Sequence, residues 1–286
     1  MGYGNLQGPL PESIASMRHL VQVNLQNNSF TGSIPDSWYD TRSWQHLDFR
    51  GNRISGTISS SMSRWRDIKT LHIGDNLLEG SIPTELGHVG NINELTMYKN
   101  KLNGTIPTTI GKLSMLWSLS LYDNQLTGTI PTEVGKLSDL SDLRWKKNFL
   151  DGTIPREFWE LTNLRRVELS ENHFNGTVSR LIGKFQTLEY LHLEQNDFSG
   201  TIPPTLGSSN DKLLEVSVNG NDFTGNMPKM VCEKVNSGQI AILIADCTNS
   251  ADTSDNSGDD NIELPKIICP HGCCTSCCVG RTCRIN

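Results

Sequence analysis

The sequence repeats itself every 24 residues, and this period restricts the chain to a fold built from similar coils. An asparagine recurs at that interval, with a last copy one residue late: Asn28, Asn52, Asn76, Asn100, Asn124, Asn148, Asn172, Asn196 and Asn221. A glycine stands four residues after each of these ladder asparagines. Because one coil cannot bury its own apolar edge, successive coils must stack around a common core. The period therefore predicts a solenoid.

The repeat around Asn124 shows how one coil is built. Leu116, Leu119 and Leu121 are expected to point inward, and the alternation of leucines with polar residues predicts that the last two belong to a short strand with one buried face. The amide of Asn124 has donors and an acceptor that can pair with the buried backbone of the following turn. We expect Gly128 to leave room for the next coil, and Pro131 to begin a helical turn over residues 132–137.

These residues resemble the plant-type leucine-rich repeat, LxxLxLxxNxLxGxIPxxLGxL, over residues 2 to about 230. The tetrapeptide GSIP or GTIP matches this pattern at Gly32, Gly80, Gly104, Gly128, Gly152 and Gly200. The resemblance implies an α/β solenoid, a right-handed horseshoe or superhelix with a concave parallel β-sheet. About nine full repeats would follow a partial N-terminal one. Members of such families generally bind proteins, peptides or glycans.

Several repeats depart from the pattern, and we expect their coils to be distorted while the stack survives. Ser59 and Ser179 replace the proline, Trp145 replaces a strand leucine, and Gly207–Leu213 carries the extra residue. The chain also begins within a repeat, without a signal peptide or a polar cap for its first coil. We therefore expect a truncated gene product or a fragment of a longer protein.

Beyond the solenoid, residues 1–230, the period stops and a cysteine-rich cap is predicted. Segment 231–250 would cover the last coil through Ile240, Ile242 and Leu243; residues 251–263 would form an acidic mobile linker, and residues 264–286 a tail completing the cap. All eight cysteines lie here: Cys232, Cys247, Cys269, Cys273, Cys274, Cys277, Cys278 and Cys283. Their even number suits disulfides formed in an oxidising compartment, with Cys232–Cys247 the most natural pair.

Two other interpretations of the tail stay open. Four cysteines with His271 nearby could ligate a metal ion: Cys273, Cys274, Cys277 and Cys278. The spacing Cys274–Cys277 could also serve redox chemistry, although no βαβ unit surrounds it. The spacing rules favour structural disulfides, because zinc sites usually combine two separated CxxC pairs. The IADC segment and the CxxxCCxxCC tail are similar to secreted or cell-surface repeat proteins of algae such as diatoms.

Composition limits the partners and the location. The net charge of −6, with no cluster of lysine and arginine, argues against nucleic-acid binding. No apolar run approaches the length of about 18 residues that a membrane span requires. Sequons that permit N-glycosylation outside the cell begin at Asn27, Asn103 and Asn175. Together with the tail, they predict an extracellular or cell-surface protein.

Enzymatic motifs such as HExxH, GxSxG and GxxxxGK[ST] do not occur in the sequence. The histidines are scattered: His72 and His192 occupy outward strand positions several coils apart, and His46 is expected two coils from its nearest neighbour. We therefore predict a protein that is not an enzyme and that holds no cofactor and no metal ion.

Outward strand positions, four and two residues before each ladder asparagine, are not constrained by the core. In the middle coils these positions and their neighbours predict a ligand-binding cluster on the concave face, made of Tyr98, Lys99, Trp117, Tyr122, Arg144, Lys146 and Lys147. Aromatic residues and arginine are favoured at interface centres, and Arg144 offers a bidentate fork for an anion. Beyond them lies an acidic zone of Glu168, Glu171, Glu194 and Glu215. The alternative is a mixed, solvated surface.

These features predict a non-catalytic binding protein in extracellular recognition or adhesion, as part of a receptor-like ectodomain. Its ligand would be a protein, an acidic peptide or an anionic glycan on the concave face. An inhibitor of a cell-wall hydrolase is a second class that only a partner would distinguish. A third class is an ice or mineral binder, since hydroxyl pairs such as Thr127 and Thr129 point outward together. Glu79, Asn103, Asp151 and Asn175 interrupt that hydroxyl column.

Overall fold

The computed structural model describes residues 5–248, 267–268, 276–279 and 282–285, with side chains as far as Asp246. The chain divides into two compact units, Met1–Leu150 and Asp151–Asn286. Each unit is a stack of coils made of parallel strands and short helices, so the predicted α/β leucine-rich repeat solenoid is confirmed. The predicted acidic linker, residues 251–263, lies outside the described residues.

Unit 1, residues 1–150, places two short strands in nearly every coil. Its strands are β1 (Gln7–Pro9), β2 (Gln22–Asn24), β3 (Ser29–Gly32), β4 (His46–Asp48), β5 (Arg53–Thr57), β6 (Thr70–His72), β7 (Leu77–Ser81), β8 (Glu94–Thr96), β9 (Lys101–Gly104), β10 (Ser118–Ser120), β11 (Gln125–Gly128), β12 (Asp142–Arg144) and β13 (Phe149–Thr153), the last of which continues into unit 2.

These strands form two parallel sheets in unit 1. The even-numbered strands β2 to β12 make the first sheet, in which Leu71, Leu95, Leu119 and Leu143 stand in one row. The odd-numbered strands β1 to β13 make the second sheet, with a different register, so that Gly56 lies opposite Leu78. The first sheet is the one predicted from the sequence. The second sheet was not predicted, because its strands contain the glycine of each repeat, which lowers β-propensity.

The side chain of Asn124 connects its own coil with the preceding one at the end of the first sheet. Its Nδ2 lies 3.0 Å from the carbonyl oxygen of Leu121 and 3.0 Å from that of Met97, one coil earlier. Its Oδ1 accepts a hydrogen bond of 3.1 Å from the backbone N–H of Leu102, also in the earlier coil. The same pattern recurs in unit 1 at Asn52, Asn76, Asn100 and Asn148.

Short helices cross from the second sheet back to the first. In unit 1 they are one α-helix, α1 (Asp36–Tyr39), and 3-10 helices at Glu12–Ser16, Ser60–Arg64, Thr84–His88, Thr108–Lys112 and Thr132–Lys136. The residue before each helix is extended, as in Pro83 with φ −68° and ψ 141°. Ser59 adopts almost the same angles, φ −69° and ψ 144°, and its hydroxyl accepts from the Ser61 N–H. The expected distortion of this coil is therefore wrong, because a capping hydroxyl replaces the rigid ring.

Glycine is required at two positions of the repeat, and the physical reason differs between them. Gly128 has a positive φ of 76°, and an added Cβ would meet the Thr105 methyl group at 3.0 Å. The expected crowding therefore falls on the preceding coil, not the next one, and the backbone angle is the stronger requirement. At Gly111, in the helical turn, an added Cβ would lie 2.4 Å from the carbonyl oxygen of Glu133 in the next coil. The repeat pattern alone indicates no role for this second glycine.

Unit 2 continues the same alternation. Its strands are β14 (Arg166–Glu168), β15 (His173–Thr177), β16 (Tyr190–His192), β17 (Asp197–Thr201), β18 (Glu215–Ser217), β19 (Asp222–Asn226), β20 (Ile242–Thr248), β21 (Ile267–Ile268), β22 (Ser276–Val279) and β23 (Thr282–Ile285). Its helices are 3-10 helices at Phe158–Glu160 and Arg180–Lys184, and the α-helix α2 (Lys229–Asn236). Strands β14, β16, β18, β20 and β22 are parallel neighbours, and β23 pairs antiparallel to β22.

The irregular repeats of unit 2 behave differently from one another. Ser179 has φ −71° and caps its helix, so this coil is regular and the expected distortion is wrong here too. The stretch Gly207–Leu213 forms no helix, as expected from its extra residue. There the fully buried Asn210 accepts from the Gly207 N–H at 2.8 Å and donates to the Phe185 carbonyl oxygen at 2.8 Å. This second buried asparagine was missed because it lies outside the 24-residue ladder.

Strand β20 and helix α2 cover the last regular coil. Ile240 and Leu243 are buried, but Ile242 is 40% exposed, because alternate residues of a strand face opposite sides. The expectation for Ile242 is therefore wrong. A carboxylate oxygen of Asp246 accepts from the Gly220 N–H at 2.7 Å. The predicted pairing of Cys232 with Cys247 stays a prediction, because the side chain of Cys247 lies outside the described ones.

We predict that Asn124→Leu destabilises the protein by about 1–3 kcal/mol, because it leaves buried turn carbonyls and the Leu102 N–H without partners. Urea unfolding monitored by circular dichroism measures the change. The matched control is Gln125→Leu, on the exposed face of β11, which leaves the backbone hydrogen bonds intact. An unchanged unfolding midpoint for Asn124→Leu would contradict the structural role of the ladder.

We also predict that Gly111→Ala lowers the free energy of unfolding by about 1–3 kcal/mol, because its methyl group would overlap a backbone oxygen of the next coil. Gly90→Ala is the control, since no atom of the described structure lies within 4 Å of a Cβ placed there. It should change the same quantity by less than about 0.5 kcal/mol. Equal effects of the two substitutions would refute the steric explanation.

Candidate ligand-binding surface

The outward side chains of the first sheet in unit 1 form a surface that we call the first-sheet face of unit 1. They come from positions six, four and two residues before each ladder asparagine. The core residues between them, Leu95 and Leu119 for example, have no exposed surface. The parallel register aligns equivalent outward positions of neighbouring coils in columns across the sheet. The face is therefore determined residue by residue by the repeat.

Tyr98 and Tyr122 stand in one column and stack on each other. Their ring centroids are 4.7 Å apart and the ring planes differ by 2°. The equivalent residue one coil before Tyr98 is Gly74, and a Cβ there would lie 2.8 Å from the Tyr98 ring. Gly74 therefore leaves the space that the first ring occupies. The sequence period predicts that both tyrosines are neighbours, whereas the role of Gly74 depends on the ring orientation and is not visible in the sequence.

The arginines of this face are paired within the chain. The guanidinium of Arg144 donates to both carboxylate oxygens of Asp142, at 2.8 and 2.9 Å. Arg50 makes the same kind of pair with Asp48, with a shortest distance of 2.7 Å. The expectation of a free bidentate fork at Arg144 is therefore wrong, because alternate residues of one strand lie side by side. Lys147 likewise lies 3.0 Å from a carboxylate oxygen of Asp123.

His72 lies between two carboxylates on this face. Its Nδ1 is 3.6 Å from Asp48 and its Nε2 is 3.2 Å from Glu94. Burial alone would raise the pKa of Asp48, but hydrogen bonds from His72 and Arg50 lower it to about 2. His46 was expected to be two coils from its nearest histidine, and this is wrong: β4 and β6 are neighbours, and His46 Nδ1 is 3.0 Å from the Thr70 hydroxyl.

The remaining predicted members of the cluster lie at the ends of the strands. Trp117 precedes β10 and Tyr122 follows it, so the two aromatic side chains stand at opposite ends of that strand and do not form one cluster. Trp117 is 45% exposed. Lys99 and Lys147 occupy the turn before a ladder asparagine, with positive φ of 47° and 57°. Their backbone positions are therefore determined by the turn as well as by the face.

Small polar residues fill the middle of the first-sheet face. Thr96, Ser118 and Ser120 are only 5–7% exposed although they point away from the core. Within the described residues, the hydroxyl of Thr96 has no hydrogen-bond partner. Larger neighbours in the same columns, such as His72 and Arg144, cover them. The middle of the face is thus lower than its charged and aromatic surroundings.

The predicted glycosylation sites lie in two environments. Asn103 in β9 and Asn175 in β15 are exposed on the second sheets of their units. Asn27 instead has a positive φ of 54°, and its Oδ1 would lie 2.5 Å from a Cβ at Gly51. Glu79 and Asn103 are also exposed, as the interruption of the hydroxyl column requires.

The Leucine Rich Repeat family profile matches residues 19–40, 43–65, 115–137 and 187–209. These segments include ladder asparagines and the apolar positions that the structure buries. No curated protein sequence matches the chain. Together with the fold, the matched repeats show a leucine-rich repeat solenoid, and they are consistent with the plant-type repeat that the sequence resembles.

The chain is similar to solved structures of plant receptors. It is 28% identical to the ectodomain of the plant membrane receptor kinase GASSHO1/SCHENGEN3 from Arabidopsis thaliana, which was solved in complex with CASPARIAN STRIP INTEGRITY FACTOR 2. This match covers 93% of the present chain and 29% of the receptor chain, with a TM-score of 0.79. It is 27% identical to the Arabidopsis receptor kinase HAESA, solved with the peptide hormone IDA and the co-receptor SERK1, over 100% of this chain and 43% of that one, with a TM-score of 0.79.

A plant ice-binding protein is also similar, with 24% identity over 78% of this chain and 72% of that one and a TM-score of 0.66. At this identity the likeness shows the fold alone. The present chain spans less than half the length of the two receptor structures. In the part of the chain that the structure describes, no helix combines the length and the apolarity needed to cross a membrane.

We predict that Asp48 stabilises the protein above about pH 4 and that this contribution disappears as the pH falls through about 2. The ionised carboxylate is favoured in the folded state, so its contribution is present above the ordinary value of 3.8 and lost below the lowered one. Asp48→Asn should cost about 2 kcal/mol in unfolding free energy at pH 6 and much less at pH 2.5. Urea unfolding at both pH values measures this change in the free energy of unfolding, and Asp67→Asn at an exposed position is the control. A pH-independent cost would disprove the assignment.

Proposed function

We propose that this chain is a non-catalytic binding protein that holds a polypeptide segment on the first-sheet face of unit 1. The stacked pair Tyr98–Tyr122, seated over Gly74, is the observation that carries the proposal. Two tyrosines supply a large contact area at low rotameric cost, and their hydroxyls can still hydrogen-bond. The pair is prealigned, since the rings already stack without a ligand, and this lowers the entropic cost of binding.

The surroundings of the tyrosines support a polypeptide more than an anion. The guanidinium of Arg144 is already paired with Asp142, and that of Arg50 with Asp48, so a purely anionic ligand would have to displace internal carboxylates. An extended peptide instead offers alternating donors, acceptors and side chains to such a mixed face. The HAESA receptor structure contains a peptide hormone, and this likeness supports the same class of ligand here.

The location and covalent chemistry form part of the proposal. Receptor ectodomains with this fold support an extracellular place of action in recognition or adhesion. Disulfides within the cysteine-rich tail and N-glycans at the exposed Asn103 and Asn175 would fit that compartment. A glycan at either position would stand on a second sheet and would leave the first-sheet face of its unit uncovered.

The test is selection of a random dodecapeptide display library on the immobilised protein, followed by Kd measurements for the enriched peptides. We predict that Tyr98→Ala with Tyr122→Ala weakens their binding by at least about 2 kcal/mol, the size expected of an interface hot spot. Circular dichroism and the melting temperature should show that the double variant remains folded, because both rings lie outside the core.

The matched control is Thr57→Ala with Thr129→Ala, which removes an exposed hydroxyl at the end of β5 and another directly after β11 in the same unit. It should leave the affinity unchanged. If the control pair weakens binding more than the tyrosine pair does, the binding face has been chosen wrongly. If no peptide is enriched over an unrelated repeat protein, the proposal of a polypeptide ligand fails.

A further inference from the structure

The first sheet of unit 2 presents an acidic surface that differs in kind from the paired charges of unit 1. The outward residues of β14, β16 and β18 and of the turns after them define what we call the acidic face of unit 2: Arg166, Glu168, Ser170, Tyr190, His192, Glu194, Glu215, Ser217 and Asn219. Arg166 is the single permanent cation among these residues. The face therefore carries an excess of negative charge that its own side chains do not neutralise.

Arg166 is already engaged on this face. Its Nη1 lies 2.9 Å from Glu168, and its guanidinium stacks 3.8 Å above the ring centroid of Tyr190. It therefore neutralises Glu168. Glu215 lies 3.3 Å from Nε2 of His192, a residue that is charged only when protonated. Glu194 and Glu215 thus lack a permanent cation on this face.

Two buried polar atoms in adjacent coils of this face have no hydrogen-bond partner in the described structure: Ser170 Oγ and Glu194 Oε2. The backbone N–H of Glu171 donates to the carbonyl oxygen of Glu194 at 3.0 Å, so Ser170 and Glu194 lie in neighbouring coils. Ser170 is fully buried, yet it follows the core residue Leu169 and so points to the same side as Glu168. A buried carboxylate oxygen without a donor costs free energy, which a ligand with N–H donors would recover.

We propose that the acidic face of unit 2 binds lysine or arginine side chains of a polypeptide, with Glu194 and Glu215 each accepting the charged donors of one such side chain. A cation of this type satisfies the excess charge and the unpaired carboxylate oxygen together. A metal ion fits less well, since the described side chains contain no group of three histidine, cysteine or acidic residues placed to ligate one.

The apolar neighbour of Glu215 supports a side chain with a hydrocarbon stem. Ile242 in β20 pairs in register with Glu215 in β18, and it is 40% exposed. Lysine and arginine cover apolar surface with their methylene stems while the charged group reaches a carboxylate. Ile242 and Glu215 therefore present an apolar and an acidic group side by side, as such a side chain requires. This proposal does not depend on the tyrosine pair, which lies in the other unit.

The experiment uses the full chain and a fluorescent peptide, acetyl-(Gly-Arg)4-amide, with fluorescence anisotropy as the readout. Glu194→Gln with Glu215→Gln should weaken binding at least about tenfold, because it removes both acceptor charges. Glu157→Gln with Asp197→Asn changes the net charge equally at exposed positions of the same unit, and should change the affinity by less than about twofold. Tyr98→Ala with Tyr122→Ala should leave this probe unaffected.

Each other outcome contradicts the proposal. Equal weakening by the two carboxylate pairs would show that general attraction to an acidic protein explains the binding. Spermine is the free-amine probe, and if it binds through Glu194 and Glu215 while the peptide does not, the ligand is a polyamine and not a polypeptide. If acetyl-(Gly-Glu)4-amide binds as tightly as the arginine peptide, the charge of the peptide does not determine binding. Circular dichroism of both Gln variants shows that they remain folded.

Discussion

The ladder asparagine is the interaction on which the rest of this structure depends. Each coil turns sharply after its first-sheet strand, and the turn leaves backbone carbonyls facing the interior. The amide of Asn124 pairs with carbonyls of its own coil and of the preceding one, and accepts an N–H from the preceding coil. Because an unpaired buried polar group is costly, this one side chain makes stacking more favourable than an isolated coil. Everything on the outward faces depends on the register that it maintains.

That register determines which outward residues become neighbours, and the two units use it differently. In unit 1, Asp48 and Arg50 stand two residues apart on one strand, as do Asp142 and Arg144, so each of these two pairs is neutralised within its own coil. In unit 2, Glu194 and Glu215 stand on different coils without a permanent cation between them. The same fold therefore offers a balanced, aromatic face in one unit and an acidic face in the other. This difference is the physical basis for assigning them different ligand chemistry.

A departure from the repeat pattern does not always change the local backbone geometry. Ser59 and Ser179 break the proline pattern, yet both adopt the same extended angles and cap the following helix with their hydroxyls. Gly207–Leu213 also breaks the pattern and does lose its helix, and there Asn210 supplies the missing backbone partners. A substitution that preserves φ and adds a cap is tolerated, whereas an inserted residue shifts the phase of the whole coil.

The sequence by itself determined the solenoid, the positions of the ladder asparagines and the stacking neighbours Tyr98 and Tyr122. These follow from a strict period, because residues 24 positions apart must meet when coils stack. Only the tertiary structure decided the second sheet, the seat that Gly74 provides for Tyr98, and the internal pairing of Arg144. It also separated Trp117 from the tyrosines and left the Oε2 atom of Glu194 without a donor in the described chain. Such features depend on side-chain direction and on distances between coils, which a period in the sequence does not specify.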